Sequence, residues 1–154
     1  MADTPNFDIQ QAHKYFSAHC FNQAWDYMEK DGNRSTEENM AMLHTAIASL
    51  WHWTQREDVS AQNLSVGNWQ VSRVYCLLKQ PNNARTYGLQ ALKYARELPA
   101  FYKGYAYETL ARAEMIVNNR VIMKTHLEKA REMLDQIEDD DDRQLLAKDL
   151  ESIL

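Results

Sequence analysis

The stretch Tyr107-Glu108-Thr109-Leu110-Ala111-Arg112-Ala113-Glu114, followed beyond Asn118-Asn119 by Met123-Lys124-Thr125-His126-Leu127-Glu128-Lys129-Ala130, decides how this chain is read. Apolar residues return every three or four positions on both sides of the asparagines. Ala106, Tyr107, Leu110, Ala111, Ala113 and Val117 precede them, and Met123, Leu127, Ala130, Leu134 and Ile137 follow. That period predicts two amphipathic helices. Asn118-Asn119 is a turn signal, and so short a connection folds the second helix back antiparallel on the first. The small residues Ala111 and Ala130 remove bulk where two helix axes must approach. The same spacing occurs upstream, in Asn68-x2-Val71-Ser72-x2-Tyr75-x8-Ala84-x3-Gly88-x2-Ala91. A fainter copy, Ala41-x3-Thr45-x2-Ala48, lies further upstream.

Outward from this unit the period predicts an all-α chain of about seven helices. The first runs from Asp8 to Lys30 with Ile9, Ala12, Phe16, Cys20, Ala24, Tyr27 and Met28 on its core face, and Asp31-Gly32-Asn33 ends it. Ser35-Thr36-Glu37-Glu38 is a capping box that opens the second. Leu43, Ala46, Ile47 and Leu50 form its inner face, widened by Trp51 and Trp53. The third, from Asp58 to Lys79, stops at Gln80-Pro81, and the fourth reaches Leu98 before Pro99. The acidic run Glu138 to Asp142 reads as a solvated turn in which Asp141 or Asp142 caps a last helix carrying Leu146, Leu150, Ile153 and Leu154. The expected organisation is one domain: an extension over 1–7, hairpins over 8–55, 58–97 and 100–137, and a helix over 141–154 that covers the end of the stack.

Composition agrees with this class. The chain has 154 residues, 45% apolar and 25% charged, with only four glycines and three prolines. Such a length buries roughly 68–70% of the unfolded chain's surface, enough for one core, and so few breakers suit helices better than sandwiches or barrels. The net charge is −5 and the pI about 5.5. With Lys and Arg scattered singly, nucleic acid is an unfavoured partner. Met1-Ala2-Asp3-Thr4-Pro5 offers neither the basic nor the apolar region of a signal peptide, and no apolar run approaches the ~20 residues of a membrane span. Cys20 and Cys76 read as reduced, buried small hydrophobes of a cytoplasmic protein.

Residues 66 to 137 resemble two tetratricopeptide repeats, although Asn68 and Tyr107 occupy the signature Trp position and Ser72 and Ala111 the Gly position. The middle of the chain is also similar to a bacterial family of uncharacterised tetratricopeptide-like proteins. The likeness is carried by Met42-Leu43-His44, Ala48-Ser49, His52-Trp53, Asn63, Asn68 to Tyr75 and Tyr105 to Ala113. It implies stacked hairpins in a right-handed superhelix and a cytoplasmic location, and carries no mechanism.

Candidate chemistry follows from side-chain type and spacing. His44 and His52 lie eight residues apart and so about 80° apart around a helix, with Ser49 three residues before His52. They read either as a polar pocket or as hydrogen-bonded groups at the edge of the core. Two histidines at that spacing lack metal-ligand geometry, so neither a metal nor a cofactor is expected. Trp69, Ser72, Arg73 and Cys76 share one side of a helix. Arg73 reads either as a carboxylate-binding fork or as the partner of an acid such as Glu108. Glu108 has Arg112 one turn on, which reads as a surface pair. Trp51-His52-Trp53 points three ways round its helix, so the indole left outside the core reads either as part of a contact surface or as inter-helix filler. No GxSxG, GxGxxG, Walker or paired-cysteine motif occurs, and no catalytic residue is nominated.

The leading expectation is a non-catalytic binding or adaptor module whose concave groove takes a protein or peptide, with Trp69, Arg73, Tyr105 and Glu108 on or near it. One alternative is a small-molecule pocket formed by His44, Ser49, His52, Asn63, Trp69 and Arg73. Another is a homodimeric scaffold.

Overall fold

The computed structural model describes residues 4–30 and 32–153. Seven helices account for the regular structure, and no strand occurs among the described residues. They are α1 (Ile9–Met28), α2 (Thr36–Thr54), α3 (Ala61–Leu77), α4 (Pro81–Tyr94), α5 (Ala100–Ile116), α6 (Arg120–Leu134) and α7 (Asp140–Glu151). No helix among the described residues is long and apolar enough to cross a membrane. The chain divides into two compact units, residues 1–60 with α1 and α2 and residues 61–154 with α3 to α7. The tip Asp31 and the terminal Met1, Ala2, Asp3 and Leu154, to which turn, leader and core readings were attached, lie outside the described residues.

In the first unit, Asp8 caps α1 by accepting from the Gln11 amide at 3.2 Å. Gly32 has φ +86°, a left-handed turn conformation that glycine adopts without steric cost. The capping box forms as read: the Ser35 hydroxyl accepts from the Glu38 amide at 3.1 Å, and the Glu38 carboxylate accepts from the Ser35 amide at 2.9 Å. Ala24, Met28, Met42 and Ala46 are the buried apolar residues between the two helices. Ile9, Phe16 and Ile47, expected on the inner faces, are instead exposed. The buried seam is thus narrower than the apolar stripe, and Ser17 and Ser49 share it with Ala24, Met28, Met42 and Ala46. Ser49 Oγ donates to the Ser17 carbonyl at 2.7 Å, and both residues are buried.

In the second unit the small residues do what their spacing requires. Ala84, Ala91, Ala111, Ala113 and Ala130 have no exposure. A Cβ on Gly88 would stand 2.8 Å from Leu110 Cδ2 and 3.3 Å from Ser72 Oγ, so α4 approaches its neighbours only as glycine allows. A Cβ on Gly104 would stand 2.5 Å from Leu146 Cδ2, which sets the seat of α7 on α5. Ser72 donates to the Ala84 carbonyl at 2.8 Å, and Ser65 to that of Ala91 at 3.0 Å, pinning α3 to α4. At the turn between α5 and α6, Asn118 takes a left-handed φ of 55°, which asparagine tolerates, and Asn119 caps α6. The core of this unit gathers Tyr105, Ala111, Met123, Leu127, Ala130, Ile137, Leu146, Leu150 and Ile153. The Cys76 thiol is buried beside the Thr109 carbonyl at 3.8 Å, and burial pushes it up to about 11. Cys20, in the first unit, is only half-buried.

Several boundaries differ from those expected, and α4 ends at Tyr94 short of Leu98. α3 begins at Ala61, because Asp58 is held in the preceding turn by a bidentate pair with Arg56, both contacts at 2.8 Å. The cap of α7 is Asp139, whose carboxylate accepts from the Asp142 amide at 2.9 Å. Asp140, Asp141 and Asp142 fall inside the first turn, where the helix dipole favours them.

Candidate functional site

The second unit is organised around one carboxylate. Glu108, on the face of α5 turned to α3, has no exposure. Trp69 reaches it from α3, and its indole Nε1 donates to Oε2 at 3.1 Å. Arg73, one turn further along α3, brings Nε to 3.9 Å from Oε1. Arg112, one turn further along α5, donates to that same oxygen. A carboxylate removed from water is costly unless it is paired and hydrogen-bonded; Trp69 and Arg112 hydrogen-bond it, and the two guanidinium groups supply the opposite charge.

The network continues to α7. Arg112 Nη2 donates to the Asp149 carbonyl at 2.9 Å and reaches Ser152 Oγ at 2.6 Å. Tyr105 donates its hydroxyl to the Asp149 carboxylate at 2.8 Å and meets Trp69 edge to face at 5.4 Å. Burial, then the Asp149 carboxylate, push the Tyr105 hydroxyl well above its ordinary range.

Four nominated residues, Trp69, Arg73, Tyr105 and Glu108, are thus brought together within one unit. The pairing of Arg73 with Glu108 is the one weighed against a carboxylate fork. The reading of Glu108 and Arg112 as a surface pair is corrected: Arg112 is 7% exposed, and the pair lies where α3, α5 and α7 meet. Asp149 and Ser152 escaped notice because nothing local to α7 shows which of its residues faces Arg112. Asn63 is half-buried in the first turn of α3.

In the first unit His44 is exposed, and the hydroxyl of Ser49 is engaged by Ser17. His52 meets His13 of α1, with the two Nδ1 atoms 2.8 Å apart. Only one of those nitrogens can carry the shared proton. Phe16 stacks on His52 at 5.4 Å, and the Trp51 ring stands edge-on to His13 at 5.5 Å. Burial, then the neighbouring His13, lower the His52 imidazole below its ordinary range. Trp53 is covered by the Arg56 guanidinium, 4.0 Å from its ring centroid. Arg56 in turn holds the Asp58 carboxyl down at about 2.

Two open surfaces stand out among the described residues. On α2, Met40, His44, Ile47 and Trp51 recur at alternating spacings of four, three and four residues, and all four are exposed, Trp51 at 53%. In the second unit a shallow depression of about 400 Å³ lies between α4 and α5, lined by Leu89, Leu92, Lys93, Arg96, Lys103 and Tyr107. Sequence reading missed it by treating lysines and arginines as scattered. Leu89, Leu92, Lys93 and Arg96 follow the spacing of one helix face, which was the available signal.

No family model matches this chain, and neither a curated protein nor a solved structure matches it.

Proposed function

We propose that this chain is a non-catalytic binding module. Its helical hairpins stack as a short tetratricopeptide-like right-handed superhelix, and it holds a protein or peptide partner. The observation that carries this reading is the exposed stripe Met40, His44, Ile47 and Trp51 on α2. Large side chains at alternating spacings of three and four line up along a helix in the pattern that seats against another helix. Tryptophan and methionine are also enriched where protein surfaces meet. The polar groups that chemistry would need are meanwhile engaged internally. Trp69 and Arg73 face the Glu108 carboxylate, and Ser49 is bonded to Ser17. A metabolite pocket built on His44, His52, Trp69 and Arg73 is correspondingly less well supported.

The test is affinity capture from native cell extract, comparing the intact chain with an Ile47→Ser/Trp51→Ser variant whose helical circular dichroism is checked first. A protein held by the first and lost from the second supports the reading. Equal retention by both removes the stripe as the contact surface. The same spacing also favours a second copy of this chain. A dimer seen by light scattering at micromolar concentration, and dissolved by the same variant, would put that copy in the partner's place.

A further inference from the structure

The depression between α4 and α5 is the second open surface, and its chemistry is specific. Leu89, Leu92, Lys93 and Arg96 sit at i, i+3, i+4 and i+7, so α4 and the residues just after it present one face that is apolar at one end and cationic at the other. Lys103 and Tyr107, one turn apart on α5, form the opposite wall. Leu89 is 56% exposed there, an aliphatic side chain left in water beside an aromatic ring. The lining holds three cations and no carboxylate, on a chain whose net charge is −5. Arg96 has Glu97 3.9 Å away, with both side chains exposed to solvent.

Helix stability explains only part of this. Lys93 stands in the last turn of α4, where the dipole favours a cation. Lys103 stands in the first turn of α5, where the dipole opposes one. Among the described residues neither lysine has a carboxylate within 4.0 Å. A patch opposite in sign to its own molecule, with an apolar floor, selects a ligand that carries negative charge and aliphatic groups on one face.

We propose that the α4–α5 depression binds an acidic amphipathic segment of another protein, with its aliphatic side chains on Leu89, Leu92 and Tyr107 and its carboxylates toward Lys93, Arg96 and Lys103. This rests on the binding-module reading and assigns that module a second contact face with a defined partner chemistry. A polyanion such as nucleic acid fits worse: three cations release few counterions, the floor is apolar, and the rest of the chain repels it. An acidic small molecule fits worse because the walls are spread and open, so little of its surface would be covered.

The experiment is fluorescence anisotropy on the full chain. The probe is a labelled amphipathic peptide of about four helical turns, with leucines along one face and glutamates on the other. Controls are the same peptide with lysine for glutamate, a short single-stranded oligonucleotide, and vesicles containing phosphatidylglycerol. The expected result is a Kd below about 100 µM for the acidic peptide, with affinity falling as salt is raised. The Lys93→Glu/Lys103→Glu variant should bind about tenfold or more weakly. Leu89→Ser should weaken binding with the salt dependence unchanged. Absent binding, equal affinity for both peptides, tighter binding of oligonucleotide or vesicles, or indifference to the charge reversal would each overturn the proposal. Capture through the α2 stripe is read separately, so that reading can stand when this one falls.

Discussion

Arg112 shows how one side chain is committed at this depth. Its guanidinium serves a carboxylate with no exposure, a backbone carbonyl and a hydroxyl on α7, and methionine at that position would serve none of them. Removing one partner of a buried pair costs about 3–5 kcal/mol, because the other charge remains behind. Arg112→Met is therefore expected to lower unfolding stability by about 3 kcal/mol or more in urea titrations. A double-mutant cycle with Glu108→Gln should return a coupling of about 1 kcal/mol or more. A loss under about 1 kcal/mol would mean that water reaches the carboxylate after all.

The histidine pair makes a different prediction at the same scale. His52 is held below its ordinary value of 6.5 in the folded chain, so the unfolded chain binds its proton first as pH falls. Stability from this residue is unchanged above the unfolded value and declines as pH drops below it. His126 is also lowered by burial, against the opposing pull of Glu114, and declines in the same direction. Melting temperature should therefore fall between pH 7.5 and 5.5, and His52→Gln should reduce that slope. An unchanged slope would show that the paired imidazoles do not contribute.

Helices were legible from sequence where their determinants are local. The 3.6-residue period, the Ser35 capping box, Pro81 and Asn118-Asn119 each act within a turn or two, and α2, α5, α6 and the start of α4 fall close to where these place them. The inward face of α1 was misread because Ile9 and Phe16 share the period of the buried residues while lying at the margin of the seam. The partnership of Glu108 with Asp149 and Ser152, through Arg112, depends on how α5 and α7 meet, and residue spacing within either helix does not encode that. Glycine carries a prediction at this level. Alanine at Gly104 would gain up to about 1 kcal/mol of helix propensity, but its Cβ would meet Leu146, a fully buried leucine, at 2.5 Å. Overpacking costs about 1–3 kcal/mol, so Gly104→Ala should leave α5 helical and lower the melting temperature. A raised melting temperature would show that α7 can shift without loss.

At the scale of the whole chain the two units are unequally provided. The first buries Ala24, Met28, Met42 and Ala46 as its apolar core and leaves Phe7, Ile9, Tyr15, Phe16, Met40, Ile47 and Trp51 in water. The second has a contiguous core and a buried polar network around Glu108. A fragment spanning residues 61–154 should fold alone with a cooperative thermal transition, whereas a fragment of residues 1–60 should show weak helicity and no sharp melt. Both fragments melting sharply would mean that the α1–α2 seam is stronger than its buried side chains indicate. Each unit also contains a single thiol, Cys20 in one and Cys76 in the other. Reaction with a thiol dye requires the thiolate and access to it. Cys76 has neither at neutral pH until α3 parts from α5, while Cys20 is already half within reach. The protein thus has a built-in clock and its reference: Cys76 times the opening of the core, while Cys20, whose thiol burial also raises, reacts from the folded first hairpin.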